Sequence, residues 1–82
     1  MKMKTIYKFG PVTTYYDTIV QGHIVHVGMQ SDGIYVWAEQ GENLAMSRLK
    51  YVGTGMPYNG VYIGTVFEAG GMLVWHVIKD NM

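Results

Sequence analysis

Imidazole is the side chain best suited to moving protons near neutral pH and is a frequent metal ligand. This 82-residue chain carries three, at His23, His26 and His76. His23 and His26 stand three apart in a stretch that reads as a strand, where alternation sends them to opposite faces and makes them a poor ligand pair. His76 lies inside the apolar run from Leu73 to Ile78 and reads as a hydrogen-bonded histidine of a sheet rather than as a base. Cysteine is absent, and the two serines, Ser31 in a predicted turn and Ser47 on a strand, lack the setting of a nucleophile elbow. Six carboxylates, Asp17, Asp32, Glu39, Glu42, Glu68 and Asp80, are scattered singly, mostly where turns and strand ends want polar residues. No acid, base and nucleophile set can be assembled from these residues, so the expectation is a protein that is not an enzyme and needs no metal or cofactor.

Binding chemistry is better represented, between Arg48 and Asn59. Gly53-x-Gly55 is a glycine-rich loop of the kind whose backbone N–H groups can face an anion, although the Lys-Ser/Thr ending of a P-loop is missing. Arg48, the sole arginine, and Lys50 precede it, and guanidinium suits phosphate or carboxylate geometry. Tyr58 could stack on a planar ring. The candidate ligand-binding residues are therefore Arg48, Lys50, Tyr51, Gly53, Thr54, Gly55, Tyr58 and Asn59. The plainer alternative is a solvated strand charge followed by an ordinary long turn.

The elements that must position these residues are strands. Eleven glycines, many beside Asn, Asp or another Gly, cut the chain into short pieces rich in β-branched and aromatic residues. Lys4 to Phe9 reads as a first strand ended by Gly10-Pro11, and Thr13 to Val20 as a second whose Tyr15-Tyr16-Asp17 portion suits an irregular edge. His23 to Gln30 and Ile34 to Gln40 form a hairpin across Ser31-Asp32-Gly33. Leu44 to Val52 is a further strand, with Leu49 and Tyr51 alternating against Arg48 and Lys50. A short helix over Glu42 to Arg48 is the competing reading there. Val61 to Glu68 and Met72 to Lys79 pair across Ala69-Gly70-Gly71. Leu73 to Ile78 is apolar on both faces and should be central, covered by a second sheet or a second subunit. The aromatics on these strands, Tyr7, Tyr35, Trp37, Tyr51, Tyr62 and Trp75, pack by default and could serve as stacking platforms or interface anchors. The fold class expected is all-β: an antiparallel, strongly bent sheet, small sandwich or partly open barrel of about six or seven strands.

Composition limits the partners. One small domain, 1–82, is expected, and so small a core gains from self-association, which makes a homo-oligomer the expected state. Lys and Arg balance Asp and Glu six to six, and only 15% of residues are charged, so no field for nucleic acid is expected. The longest apolar runs, such as Ile34 to Ala38, are far short of the ~20 residues of a membrane-spanning helix, so no membrane role is expected. No export signal is read, and a cysteine-free chain suits a reducing cytoplasm. Seven Met and seven Tyr exceed what such a core can hold, implying exposed contact surfaces.

Several segments together resemble a family of small uncharacterised proteins of tailed bacteriophages and prophages. They are Met3-Lys4-Thr5-Ile6-Tyr7-Lys8, Val36-Trp37-Ala38, Val52-Gly53-Thr54-Gly55-x-Pro57, Tyr62-Ile63-Gly64-Thr65-Val66 and Leu73-Val74-Trp75-His76-Val77. The loop of that family commonly reads Gly-Thr-Gly-His-Pro, and Met56 stands here in the histidine's place. The resemblance transfers no activity. It implies a phage accessory protein that acts in the host bacterial cytoplasm by binding. Such a protein would sequester a small anionic, nucleotide-like signalling molecule of bacterial immunity as a homo-oligomer, block a host protein as an inhibitor or adaptor, or serve as a minor virion or assembly component.

Overall fold

The computed structural model describes residues 3–42 and 45–81. In chain order the strands are β1 (Thr5–Val12), β2 (Thr18–Gln21), β3 (His23–Gln30), β4 (Gly33–Gln40), β5 (Met46–Gly53), β6 (Val61–Glu68) and β7 (Leu73–Asn81), with a 3-10 turn at Ala69–Gly71. All pair antiparallel, in a three-stranded sheet ordered β1-β4-β3 and a four-stranded sheet ordered β2-β5-β7-β6. The all-β expectation of six or seven strands is met by this open sandwich. Among the described residues no helix is long and apolar enough to cross a membrane.

Period-two alternation builds the core. Ile34, Val36 and Ala38 of β4, with Val12 of β1, meet Val20, Leu49, Val66 and Val77 of the other sheet. Each such aliphatic side chain contributes roughly 1.5–3 kcal/mol when fully buried, Ala38 less. No aromatic side chain is fully buried; Phe9, Tyr51 and Trp75 pack around the rim of the cluster.

The two hairpins form where turn chemistry predicts them. β3 and β4 join through Ser31 and Asp32, with Gly33 at φ 147 opening β4 beside Pro11. β6 and β7 join through the 3-10 turn, in which Gly70 and Gly71 have positive φ.

Four expectations are corrected. β1 does not stop at Gly10-Pro11: the Gly10–Pro11 peptide is cis, the ladder is irregular between Phe9 and Val12, and pairing resumes at Val12 with Ile34. Gly10 is at φ 138, and a Cβ there would lie 2.8 Å from the Tyr35 ring, so the bulge requires glycine. The second strand is only Thr18–Gln21, because Thr13 to Asp17 closes on itself. Thr13 Oγ1 donates to Asp17 at 2.5 Å and accepts from the Tyr15 N–H at 3.2 Å, competing with any ladder. The helical reading of Glu42 to Arg48 fails at its end, since Met46, Ser47 and Arg48 belong to β5; Asn43 and Leu44 lie outside the described residues.

The fourth correction concerns the histidines. A bulge at Val25 shifts the β3 register, so that His23 pairs with Glu39 and His26 with Trp37, two residues apart on β4. His23 and His26 therefore share one face of the three-stranded sheet, where His26 leans on Trp37 with ring centroids 5.3 Å apart.

β7 is central, as its sequence requires, and the adjacent Val77 and Ile78 are both fully buried although they point to opposite faces. The three-stranded sheet covers Val77. Within the chain, loop residues lie against Ile78: a Cβ on Gly60 would sit 2.8 Å from Ile78 Cγ2 and 2.6 Å from the Tyr16 hydroxyl.

Candidate functional site

The outer face of the four-stranded sheet gathers the polar chemistry. Alternation along β5 turns Leu49 and Tyr51 inward and Arg48, Lys50 and Val52 outward. On β7 the outward residues beside them are Asp80, Ile78 and His76, and on β6 they are Tyr62, Thr65 and Phe67. Arg48 and Lys50 thus occupy successive outward places on an interior strand, with Ile78 and Tyr62 alongside.

Both cations have local partners. The Arg48 guanidinium donates to Asp80 at 2.7 Å, and both side chains remain more than a third exposed. The Lys50 ammonium lies over the Tyr16 ring, 4.6 Å from its centroid. Tyr16 arrives from the Thr13–Asp17 loop and its hydroxyl donates to the Asn59 carbonyl, tying that loop to the segment before β6. Burial, and secondarily the negative charge of Asp80, raise the Tyr16 hydroxyl above its ordinary pKa.

Next to this group runs a chain of hydroxyls and one imidazole. Thr54 Oγ1 is 2.8 Å from His76 Nε2, Thr65 Oγ1 is 3.0 Å from His76 Nδ1, and the Tyr62 hydroxyl is 2.5 Å from Thr65 Oγ1. A neutral imidazole satisfies both contacts as one donor and one acceptor, the threonines taking the complementary roles. The ring is therefore fixed, and both its nitrogens are engaged within the fold.

Thr54 begins the loop that leads to β6. The Met56 N–H donates to the Gly53 carbonyl at 3.2 Å. Gly55 holds φ 90 in open space, and Gly60 holds φ 132 where a Cβ would fall 2.6 Å from the Lys79 carbonyl oxygen. Tyr58 is exposed.

The sequence-derived set is thus divided. Arg48, Lys50 and Thr54 share the outer face; Gly55, Tyr58 and Asn59 lie in the loop at its edge. Tyr51 and Gly53 do not join them: they face inward, Tyr51 meeting Trp75 edge-on at 5.2 Å and Gly53 lying against the Trp75 ring. Sequence reasoning overlooked Tyr16 and Thr65, and it named Tyr62 as an aromatic platform without placing it beside Arg48 and Lys50. Thr65 was within reach, since counting back from the Ala69–Gly71 turn pairs it with His76; Tyr62, three residues earlier, comes to the same face only through the register shift between Tyr62 and Gly64. No pattern announces Tyr16, which crosses over the sheet from another loop.

Chemically the face offers two cations, hydroxyl and imidazole hydrogen-bonding groups and aromatic rings around one carboxylate, an arrangement suited to holding an anion with a planar part. Among the described residues no group of three or more His, Asp or Glu is placed to hold a metal ion.

Fold and site together define a small open β-sandwich with a polar, cation-bearing outer sheet face. Residues 3–82 match the family model described as Domain of unknown function (DUF7352), and the chain belongs to that family. No curated protein and no solved structure matches it.

Proposed function

We propose that this domain is a non-enzymatic binding protein, encoded by a phage, that captures a small anionic, nucleotide-like signalling molecule. It would do so as a homo-oligomer in the host bacterial cytoplasm and thereby counter host defence. The observation that carries the binding reading is the placement of Arg48 and Lys50 at successive outward positions of β5, with the Tyr16 and Tyr62 rings and the Thr54–His76–Thr65 chain on the same face. An anion would compete with Asp80 for Arg48, and that exposed pair is worth only about 0–1 kcal/mol, so displacement costs little. The engaged nitrogens of His76 favour binding over proton transfer. The phage setting rests on the resemblance of the loop and strand motifs.

Isothermal titration against cyclic dinucleotides and ADP-ribose tests this directly. Saturable binding that Arg48→Ala and Lys50→Ala each weaken is the expected result, and folded protein that binds none of the panel would sink the proposal.

A second reading, an inhibitor or adaptor of a host protein, draws on the exposed apolar tip of the β6–β7 hairpin, where Phe67, Met72 and Leu73 face solvent. A stoichiometric protein partner recovered from bacterial lysate, with no co-purifying nucleotide, would favour it over the first.

A further inference from the structure

We infer that the open end of the sandwich, between the β3–β4 turn and the β6–β7 hairpin, is a second binding site whose ligand is a small organic cation of the alkylammonium class. A cleft of about 300 Å³ opens there, with Val12 and Ile34 of the core among its lining residues and Pro11, Met29, Tyr51 and Trp75 contributing apolar and aromatic surface. Among the described residues Asp32 and Glu68 are the charged ones that line it, and no basic side chain does.

Neither carboxylate sits there by loose placement. The Trp75 indole N–H donates to Glu68 at 2.8 Å, which fixes both the ring and the carboxylate. The Tyr35 hydroxyl donates to Asp32 at 2.8 Å. Each acid is thus positioned by an aromatic donor; the Lys8 ammonium lies over the Tyr35 ring, 4.8 Å from its centroid, but is not among the residues that line the cleft. Trp75 and Tyr51 meet at 67° with centroids 5.2 Å apart, forming a corner of two aromatic rings in a lining that also includes Asp32 and Glu68.

Aromatic faces attract cations through their quadrupole, and carboxylates add direct attraction. An anion meets repulsion here, so this cleft cannot share the ligand proposed for the outer face. The volume lies at the lower limit of small-molecule sites and fits a group the size of trimethylammonium better than a dinucleotide. Trp75 and Tyr51, packing residues by default and candidate stacking platforms from the sequence, acquire a use at this end of the molecule.

Choline and its uncharged carbon isostere, 3,3-dimethylbutan-1-ol, separate charge recognition from apolar filling. In a Trp37→Phe background the remaining indole, Trp75, reports by fluorescence; indole N–H shifts by NMR in the unaltered protein give the same reading if that background folds poorly. Choline is expected to give a saturable response, and the alcohol to bind at least about tenfold more weakly. Glu68→Gln keeps an acceptor for the Trp75 N–H while removing the charge, and combined with Asp32→Asn it should weaken choline at least about tenfold. Arg48→Ala should leave choline binding unchanged, so failure here and failure of the nucleotide reading are told apart. No saturable response to choline, equal binding of the alcohol, or undiminished affinity in the double variant would each overturn the inference.

Discussion

At the scale of single residues, Arg48 and Tyr16 make the sharpest demands. Arg48 is exposed and paired with Asp80 at the surface, so Arg48→Ala should change stability by no more than about 0.5 kcal/mol while removing anion binding. Chemical denaturation beside titration checks both halves; unchanged affinity would take Arg48 out of the site. Two tyrosines carry a pH prediction. Burial and the Asp80 charge raise Tyr16, and the hydrogen bond to Asp32, with burial and the Asp32 charge, raises Tyr35. Both are favoured as neutral phenols in the folded chain. The stability they contribute is therefore fully present below the ordinary value of 10.0 and is lost as pH rises through their higher folded values. Denaturation midpoints should fall on the alkaline side, and the fall should be shallower in a Tyr16→Phe, Tyr35→Phe double variant. An identical alkaline slope in the two proteins would contradict this. Arg48 and Lys50 were legible as a pair because β5 alternates cleanly. The inward turn of Tyr51 follows from that same alternation, yet nearness in sequence grouped it with the loop.

At the scale of elements, bulges decide what the sequence conceals. The hairpins β3–β4 and β6–β7 were legible because Asp32-Gly33 and Gly70-Gly71 supply the backbone freedom tight turns need. The courses of β1 and β2 were not, since Gly10-Pro11 reads as a stop and only the opposing Ile34 shows that pairing resumes at Val12. Likewise a single extra residue at Val25 brings His23 and His26 to one face where plain alternation would separate them. β6 has its own irregularity between Tyr62 and Gly64, and there the two sheets approach at their edges. A Cβ on Gly64 would fall 2.6 Å from Val27 Cγ2 on β3. Gly64→Ala should therefore destabilise by about 1–3 kcal/mol through overpacking. Val27→Ala removes the obstructing methyl, so the double variant should lose less than the sum of the singles by at least about 0.5 kcal/mol. Strict additivity in urea denaturation would show that β3 and β6 do not touch at this point.

At the scale of the whole molecule, a thin interior and an apolar exterior belong to the same problem. The chain extends 43 × 26 × 17 Å, and among the described residues the buried hydrophobic set consists of Val, Ile, Leu and Ala alone. Every tryptophan, tyrosine and phenylalanine retains some exposure. Phe67, 62% exposed, and Met72, 85% exposed, lie at the β6–β7 tip, and Phe67 continues the outward row of Tyr62 and Thr65. An open sheet face encloses little of a ligand, whereas small-molecule sites bury about 70–90% or more of a drug-sized one. A second copy resting against the hairpin tip would supply the missing wall beside Arg48 and Lys50 and cover Phe67 and Met72 in the same step. Native mass spectrometry should then find an oligomer at micromolar concentration. Phe67→Ser with Met72→Ser, at positions too exposed to cost the fold more than about 0.5 kcal/mol each, should shift the protein to monomers. On the proposal that assembly encloses the ligand, the same variant should bind nucleotide more weakly although neither residue need touch it. A wild type that stays monomeric with nucleotide present would break the link between association and capture.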